Sequence, residues 1–147
     1  MLKKMLFTIA IVTVAFTAEA QFRKIPVEVT DAFKAKYANA TKVEWMDKMT
    51  SFEVGFTSDG KERKANYNSK GEWSKTETKE SLEGLPPEVQ EGFKKSKYAD
   101  QKVTDVTQIE EKEKGVRYKL AVKKSGLSKK NLVFDPTGKL LSDNGTL

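Results

Sequence analysis

The sequence predicts an α+β fold: two tandem repeats, each one helix plus a four-stranded antiparallel sheet, sharing one curved sheet with both helices on one face. Three observations lead there. Leu85-Pro86-Pro87-Glu88-Val89-Gln90-Glu91-Gly92-Phe93-Lys94 restates Ile25-Pro26-Val27-Glu28-Val29-Thr30-Asp31-Ala32-Phe33-Lys34 at an offset of 60 residues. After each copy the apolar spacing changes from that of a helix to that of a strand. Finally, a unit of about 60 residues with one helix has a marginal core and an exposed sheet edge, so two units gain by joining their sheets.

In the first copy Val29, Phe33 and Tyr37 fall at i, i+4 and i+8, one stripe of a helix over 25–38. Pro26 is tolerated at a helix start, where its missing N–H would be unpaired anyway, and Glu28 complements the positive end of the helix dipole. From Lys42 the period is two, with Val43 and Trp45 expected to share the buried face. Phe52, Val54 and Phe56 alternate with polar residues, Asp59-Gly60 makes a hairpin turn, and Arg63, Ala65 and Tyr67 line the return strand. Asn68-Ser69-Lys70-Gly71 turns again into a strand opened by Trp73, and both tryptophans are expected in the core.

The second copy repeats the order with differences. Gly92 weakens its helix by about 1 kcal/mol relative to Ala. Val103, Val106 and Ile109 are spaced for a strand carrying a bulge. Val116, Tyr118, Leu120 and Val122 then alternate with Arg117, Lys119, Ala121 and Lys123, Leu132 and Phe134 match Ala65 and Tyr67, and Asp135-Pro136-Thr137-Gly138 suits a type I turn before Leu140. Glu110 to Lys114 reads as a charged loop, and residues 143–147 as a frayed end.

The division expected is a signal peptide at 1–20, a first repeat at 21–80 and a second at 81–147. Lys3 and Lys4, an apolar run from Met5 to Phe16 and Ala18-Glu19-Ala20 predict secretory export with cleavage after Ala20. The apolar run is too short to span a bilayer as a stable anchor, so no stable membrane insertion is expected after signal removal. The address is periplasmic or extracellular.

The chain has 27 Lys and Arg against 21 Asp and Glu, a formal charge of +6, with no His and no Cys. Without them, Ser-His-Asp and Cys-His catalysis and the usual zinc sites are excluded, as are disulfides. No Gly-rich phosphate loop, Gly-x-Ser-x-Gly elbow or Asp-rich calcium loop occurs. No catalytic residue, metal or other cofactor is expected, and no nucleic-acid partner is expected for an exported chain without a basic-aromatic stacking motif.

Two surfaces remain as candidates. With the helices on one side, the other side of the sheet carries Glu44, Glu53, Glu62, Lys64, Asn66, Arg117 and Lys119, with apolar area from Met46, Met49 and Ala121. That side reads either as a solvated polar surface, the commoner arrangement, or as a broad flat binding surface for a protein. The stretch Lys123, Lys124, Lys129, Lys130 reads either as a solvated hairpin loop or as a contact with anionic lipid, polysaccharide or an acidic protein.

The Pro-x-Glu-Val-x-x-x-Phe-Lys helix ending in Tyr-Ala, followed by a strand meander with Asn68-Ser69-Lys70-Gly71-Glu72-Trp73 or Phe134-Asp135-Pro136-Thr137-Gly138-Lys139-Leu140, resembles the PepSY-like, β-lactamase-inhibitor-protein-like (BLIP-like) domains of exported bacterial proteins. The resemblance implies a helix packed on an antiparallel sheet whose open face binds a protein; the chain departs from the disulfide-bearing β-lactamase inhibitor in having no Cys. The expected function is an exported, non-enzymatic, inhibitor-like binding module acting on an envelope or secreted protein. The alternatives are an envelope structural or stress protein that meets anionic polymers through its basic surface, and an enzyme limited to carboxylate, Lys and Tyr chemistry.

Overall fold

The computed structural model describes residues 23–126 and 128–146. The expected signal peptide and its cleavage point after Ala20 lie outside the described residues.

A helix and four strands occur twice in the element order: α1 (Val27–Lys36), β1 (Thr41–Asp47), β2 (Phe52–Ser58), β3 (Lys61–Tyr67), β4 (Trp73–Glu80), then α2 (Pro87–Lys94), β5 (Lys102–Glu111), β6 (Gly115–Lys123), β7 (Lys129–Phe134) and β8 (Leu140–Thr146). The eight strands form one open antiparallel sheet in sequence order. The join is β4 against β5, from Lys75↔Glu111 to Glu80↔Val106.

The register fixes which residues share a face. Val54, Ala65, Thr76, Glu110 and Val116 lie in one row across β2 to β6, and Arg63, Thr78, Gln108 and Tyr118 in the next. Both helices cover this face. Val29 and Phe33 of α1 pack with Phe52, Val54, Phe56, Ala65 and Tyr67. Val89 and Phe93 of α2 pack with Val106, Tyr118, Leu120, Val122, Leu132 and Phe134. Two cores result, with the buried Thr76 and Thr78 of β4 between them. Thr76 also links the seam: its Oγ1 accepts the Trp73 indole N–H at 2.8 Å and lies 2.5 Å from the Tyr37 hydroxyl.

Turn chemistry follows the sequence. Asp59 (φ 53°) and Gly60 (φ 73°) supply the two positive φ angles of the β2–β3 hairpin. The β3–β4 and β7–β8 turns are built alike: Asn68 Oδ1 accepts from the Lys70 and Glu72 amides, and Asp135 Oδ1 from the Thr137 and Lys139 amides. Each turn presses a glycine on a helix start. A Cβ at Gly71 would sit 2.4 Å from the Glu28 carbonyl oxygen, and one at Gly138 2.0 Å from that of Glu88. The Gly138 carbonyl in turn leaves no room for a Cβ at Gly92, at 2.0 Å. The helix-weakening glycine is thus required by a backbone contact.

Four expectations are corrected. A bulge between Thr41 and Glu44, with Lys42 at φ 52°, breaks the shared parity of Val43 and Trp45. Val43 is therefore exposed, whereas Trp45 packs against the Phe33 ring. Both tryptophans are half-buried at the margin of the first core rather than inside it. The bulge expected in β5, by contrast, is present between Val103 and Asp105; it sets Val103 beside Val106 at the second core, with Ile109 on the opposite face. Glu110 and Glu111 are strand residues, since β5 pairs with β4 and β6 through Glu111. The chain end up to Thr146 is not frayed: it pairs with β7, and the Tyr98 hydroxyl donates to the Asp143 carboxylate, which Lys97 approaches at 3.3 Å.

Candidate functional site: the open face of the sheet

The helices leave one side of the sheet uncovered, and the strand rows define its surface. One row runs Glu44, Gly55, Lys64, Glu77, Ile109, Arg117 across β1 to β6. Another carries Thr107, Lys119, Val133 and Ser142 across β5 to β8, and a third runs Met46, Glu53, Asn66, Lys75 and Glu111 across β1 to β5. All seven polar residues assigned to this face from strand parity lie on it. Gly55 contributes no side chain, and around it opens a shallow trough of about 590 Å³ lined by Glu44, Glu62, Lys64, Glu77 and Lys119 among others.

Glu77 is the electrostatic centre. Partial burial pushes its carboxyl up, but the hydrogen bond from Lys75 at 2.7 Å and the charges of Lys75, Lys119 and Lys64 outweigh this and hold it below the usual carboxylate range. Lys75 is committed to Glu77, and Lys79 lies 3.8 Å from Glu62. Lys64 and Lys119 form no ion pair within 4.0 Å among the described residues, so their charge remains available.

The other expected residues are engaged differently. Arg117 is held by Glu111 at 2.5 Å and Glu53 lies 3.8 Å from Lys48, so both are tied up within the sheet away from the trough. Met46 is exposed on the face, Ala121 is half-buried there, and Met49 protrudes from the β1–β2 turn. The second half adds half-buried apolar surface from Ile109 and Val133. Glu77, Lys79, Asp105 and Thr107 were not anticipated. Their signal was the alternation of Lys75, Glu77 and Lys79 with threonines, which lacks the apolar contrast that usually reveals a strand face.

The expected basic stretch brackets the end of the β6–β7 hairpin, with Lys123 at the end of β6, Lys124 after it, and Lys129 and Lys130 opening β7. Among the described residues no cluster of acidic side chains could hold a metal ion, and no helix is long and apolar enough to cross a membrane.

A family model described as "Putative beta-lactamase-inhibitor-like, PepSY-like" matches residues 50–142. A solved BLIP-like protein from Bacteroides fragilis is 28% identical, with a TM-score of 0.81 over 85% of this chain and 89% of the other. A DUF2874 family protein from Bacteroides ovatus is 27% identical, with a TM-score of 0.79 over 83% and 88%. A protein from Bacteroides eggerthii, named among "putative periplasmic proteins", is 24% identical with a TM-score of 0.77 over 83% and 89%, a likeness of fold alone. No curated protein matches the chain.

Proposed function

The chain belongs to the PepSY-like, β-lactamase-inhibitor-like family, and we propose that it is a non-enzymatic binding module holding an envelope or secreted protein against the open face of its sheet. The observation that carries this reading is the pair Lys64 and Lys119, cations without an ion-pair partner among the described residues, flanking the ionised Glu77 beside the trough at Gly55. A partner that offers carboxylates to the two lysines and an apolar side chain to Ile109 and Val133 meets both halves of the face. Charge complementarity of this kind sets partner choice and association rate more than raw affinity.

Two further parts belong to this reading. The halves 21–80 and 81–147 are duplicated units, supported by the matching contacts of Gly71 on Glu28 and Gly138 on Glu88. The protein is exported to the periplasm or beyond, supported by the leader-like residues 1–20.

The test is capture of a partner from envelope extract by the native protein and by two variants. Gly55→Tyr fills the trough, and nothing nearer than the Glu44 carbonyl at 4.0 Å opposes a Cβ there. Lys64→Gln with Lys119→Gln removes the two available charges without setting a second carboxylate opposite Glu77. Each variant should lose the partner that the native protein retains, with an unchanged melting temperature. Retention of the same partner by both variants refutes the open face as the site.

A further inference from the structure

The rim of the sheet where β5 begins, β6 ends and β7 begins holds an arrangement that packing does not demand. Lys102 is the direct cross-strand partner of Lys123, and Lys123 of Lys129, so three lysines stand side by side on one face across three strands. Directly opposed like charges destabilise a sheet. Lys124 follows immediately, and the four lysines with Thr104 and Ser125 border a shallow hollow of about 540 Å³. None of the four has a carboxylate within 4.0 Å among the described residues, whereas the neighbouring Lys97 is paired with Asp143. The corresponding row of the first half is Thr41, Thr57, Glu62. The scaffold therefore forms equally well without the lysines.

We infer that this lysine row is a docking site for an anionic lipid surface. The charges lie at the end of a hairpin, so one plane can meet all of them at once. They are lysines, strongly hydrated point charges suited to a diffuse anionic layer, rather than the arginine forks that grip a defined carboxylate or phosphate. Among the described residues the hollow presents no aromatic ring on which a sugar could stack. Successive strands set the lysines about 5 Å apart, close enough for all to sit within one Debye length of a membrane. This inference does not rest on the open-face reading, because none of its residues lines the trough.

The experiment is sedimentation of the purified protein with phosphatidylcholine vesicles, with and without about one third phosphatidylglycerol. Binding should require the anionic lipid and weaken steeply with salt. A juxtamembrane lysine contributes about fivefold in partitioning, so Lys123→Gln with Lys129→Gln should lower it about thirtyfold. The same loss is expected for Lys102→Gln with Lys124→Gln, which removes charge from the patch while leaving Lys123 and Lys129 in place. Both pairs should melt no lower than the native protein, since a like-charge row is being relieved. Lys34→Gln with Lys70→Gln removes equal net charge elsewhere and should change partitioning by less than about twofold. Equal binding to neutral vesicles, or equal loss in all three variants, overturns the inference. So does retention on a soluble anionic polysaccharide without vesicle binding.

Discussion

Gly92→Ala sets two physical effects against each other. In the middle of α2, alanine should stabilise by about 1 kcal/mol through helix propensity. The fold opposes it: the new Cβ would lie 2.0 Å from the Gly138 carbonyl oxygen and 2.8 Å from its carbon, where ordinary contact begins near 3.4 Å. The turn would have to retreat by about 1.4 Å, and it is not free to do so. Asp135 Oδ1 binds the amides of Thr137 and Lys139, and Gly138 itself already rests on the Glu88 carbonyl. Overpacking of this kind costs typically 1–3 kcal/mol and occasionally more. With two backbone segments in conflict we place it near the top of that range, for a net loss of about 2 kcal/mol. For a chain of this length the melting temperature should fall by about 6–10 °C. Thermal unfolding followed by far-UV circular dichroism, with a urea midpoint at unchanged m, measures it. Gly145→Ala, where a Cβ meets nothing within 4 Å, serves as the control. A melting temperature for Gly92→Ala above that of the native protein would show that propensity rules and that the turn does not bear on the helix.

Two other outcomes are expected. Tyr98→Phe removes the hydroxyl that holds Asp143 and should cost about 1 kcal/mol, with faster amide exchange in β8 while β2 and β3 remain protected; unchanged exchange in β8 would count against the anchor. Arg23 holds the Asp47 carboxyl down to about 2 by its hydrogen bonds, so this contribution is complete above about pH 4 and is lost as pH falls through about 2. The melting-temperature difference between the native protein and Arg23→Gln should accordingly shrink between pH 4 and pH 2; a constant difference would assign it to the stacking of Arg23 on Phe52 instead.

What could be read from the chain depended on apolar contrast. Val29 and Phe33, Val89 and Phe93, and the alternation of Phe52, Val54 and Phe56 or of Tyr118, Leu120 and Val122 all lie where their spacing placed them. Strand parity also put Glu53, Glu62, Lys64, Arg117 and Lys119 on the uncovered face. Where contrast is absent, the reading stopped. In β4 the inward residues are Thr76 and Thr78, β-branched but polar, so nothing marked Glu77 and Lys79 as outward. The β5 bulge left its trace in the spacing of Val103, Val106 and Ile109, but the β1 bulge left none, and it takes Val43 off the face that Trp45 occupies. Ion pairing is also invisible in sequence: Arg117 and Lys119 are two residues apart on one strand, yet Glu111 neutralises the first and nothing described neutralises the second.

The two sides of the sheet differ in how much freedom packing leaves them. On the helix side three cations are committed: Lys61 to Glu80 at 2.6 Å, Arg63 to Asp59 at 3.5 Å, and Lys36 over the Trp73 ring at 4.2 Å. Changing any of them breaks that contact. On the open side a substitution at Lys64, Lys119 or the Lys102, Lys123, Lys129 row breaks no ion pair among the described residues. The halves show this freedom directly, with like turns pressing glycines on both helix starts while the rim carries threonines and a glutamate in one half and three lysines in the other. A sheet that spends its helix face on two cores can diversify only on the face and rim that remain. Recognition in this chain is therefore sought in residues whose removal leaves the melting temperature unchanged.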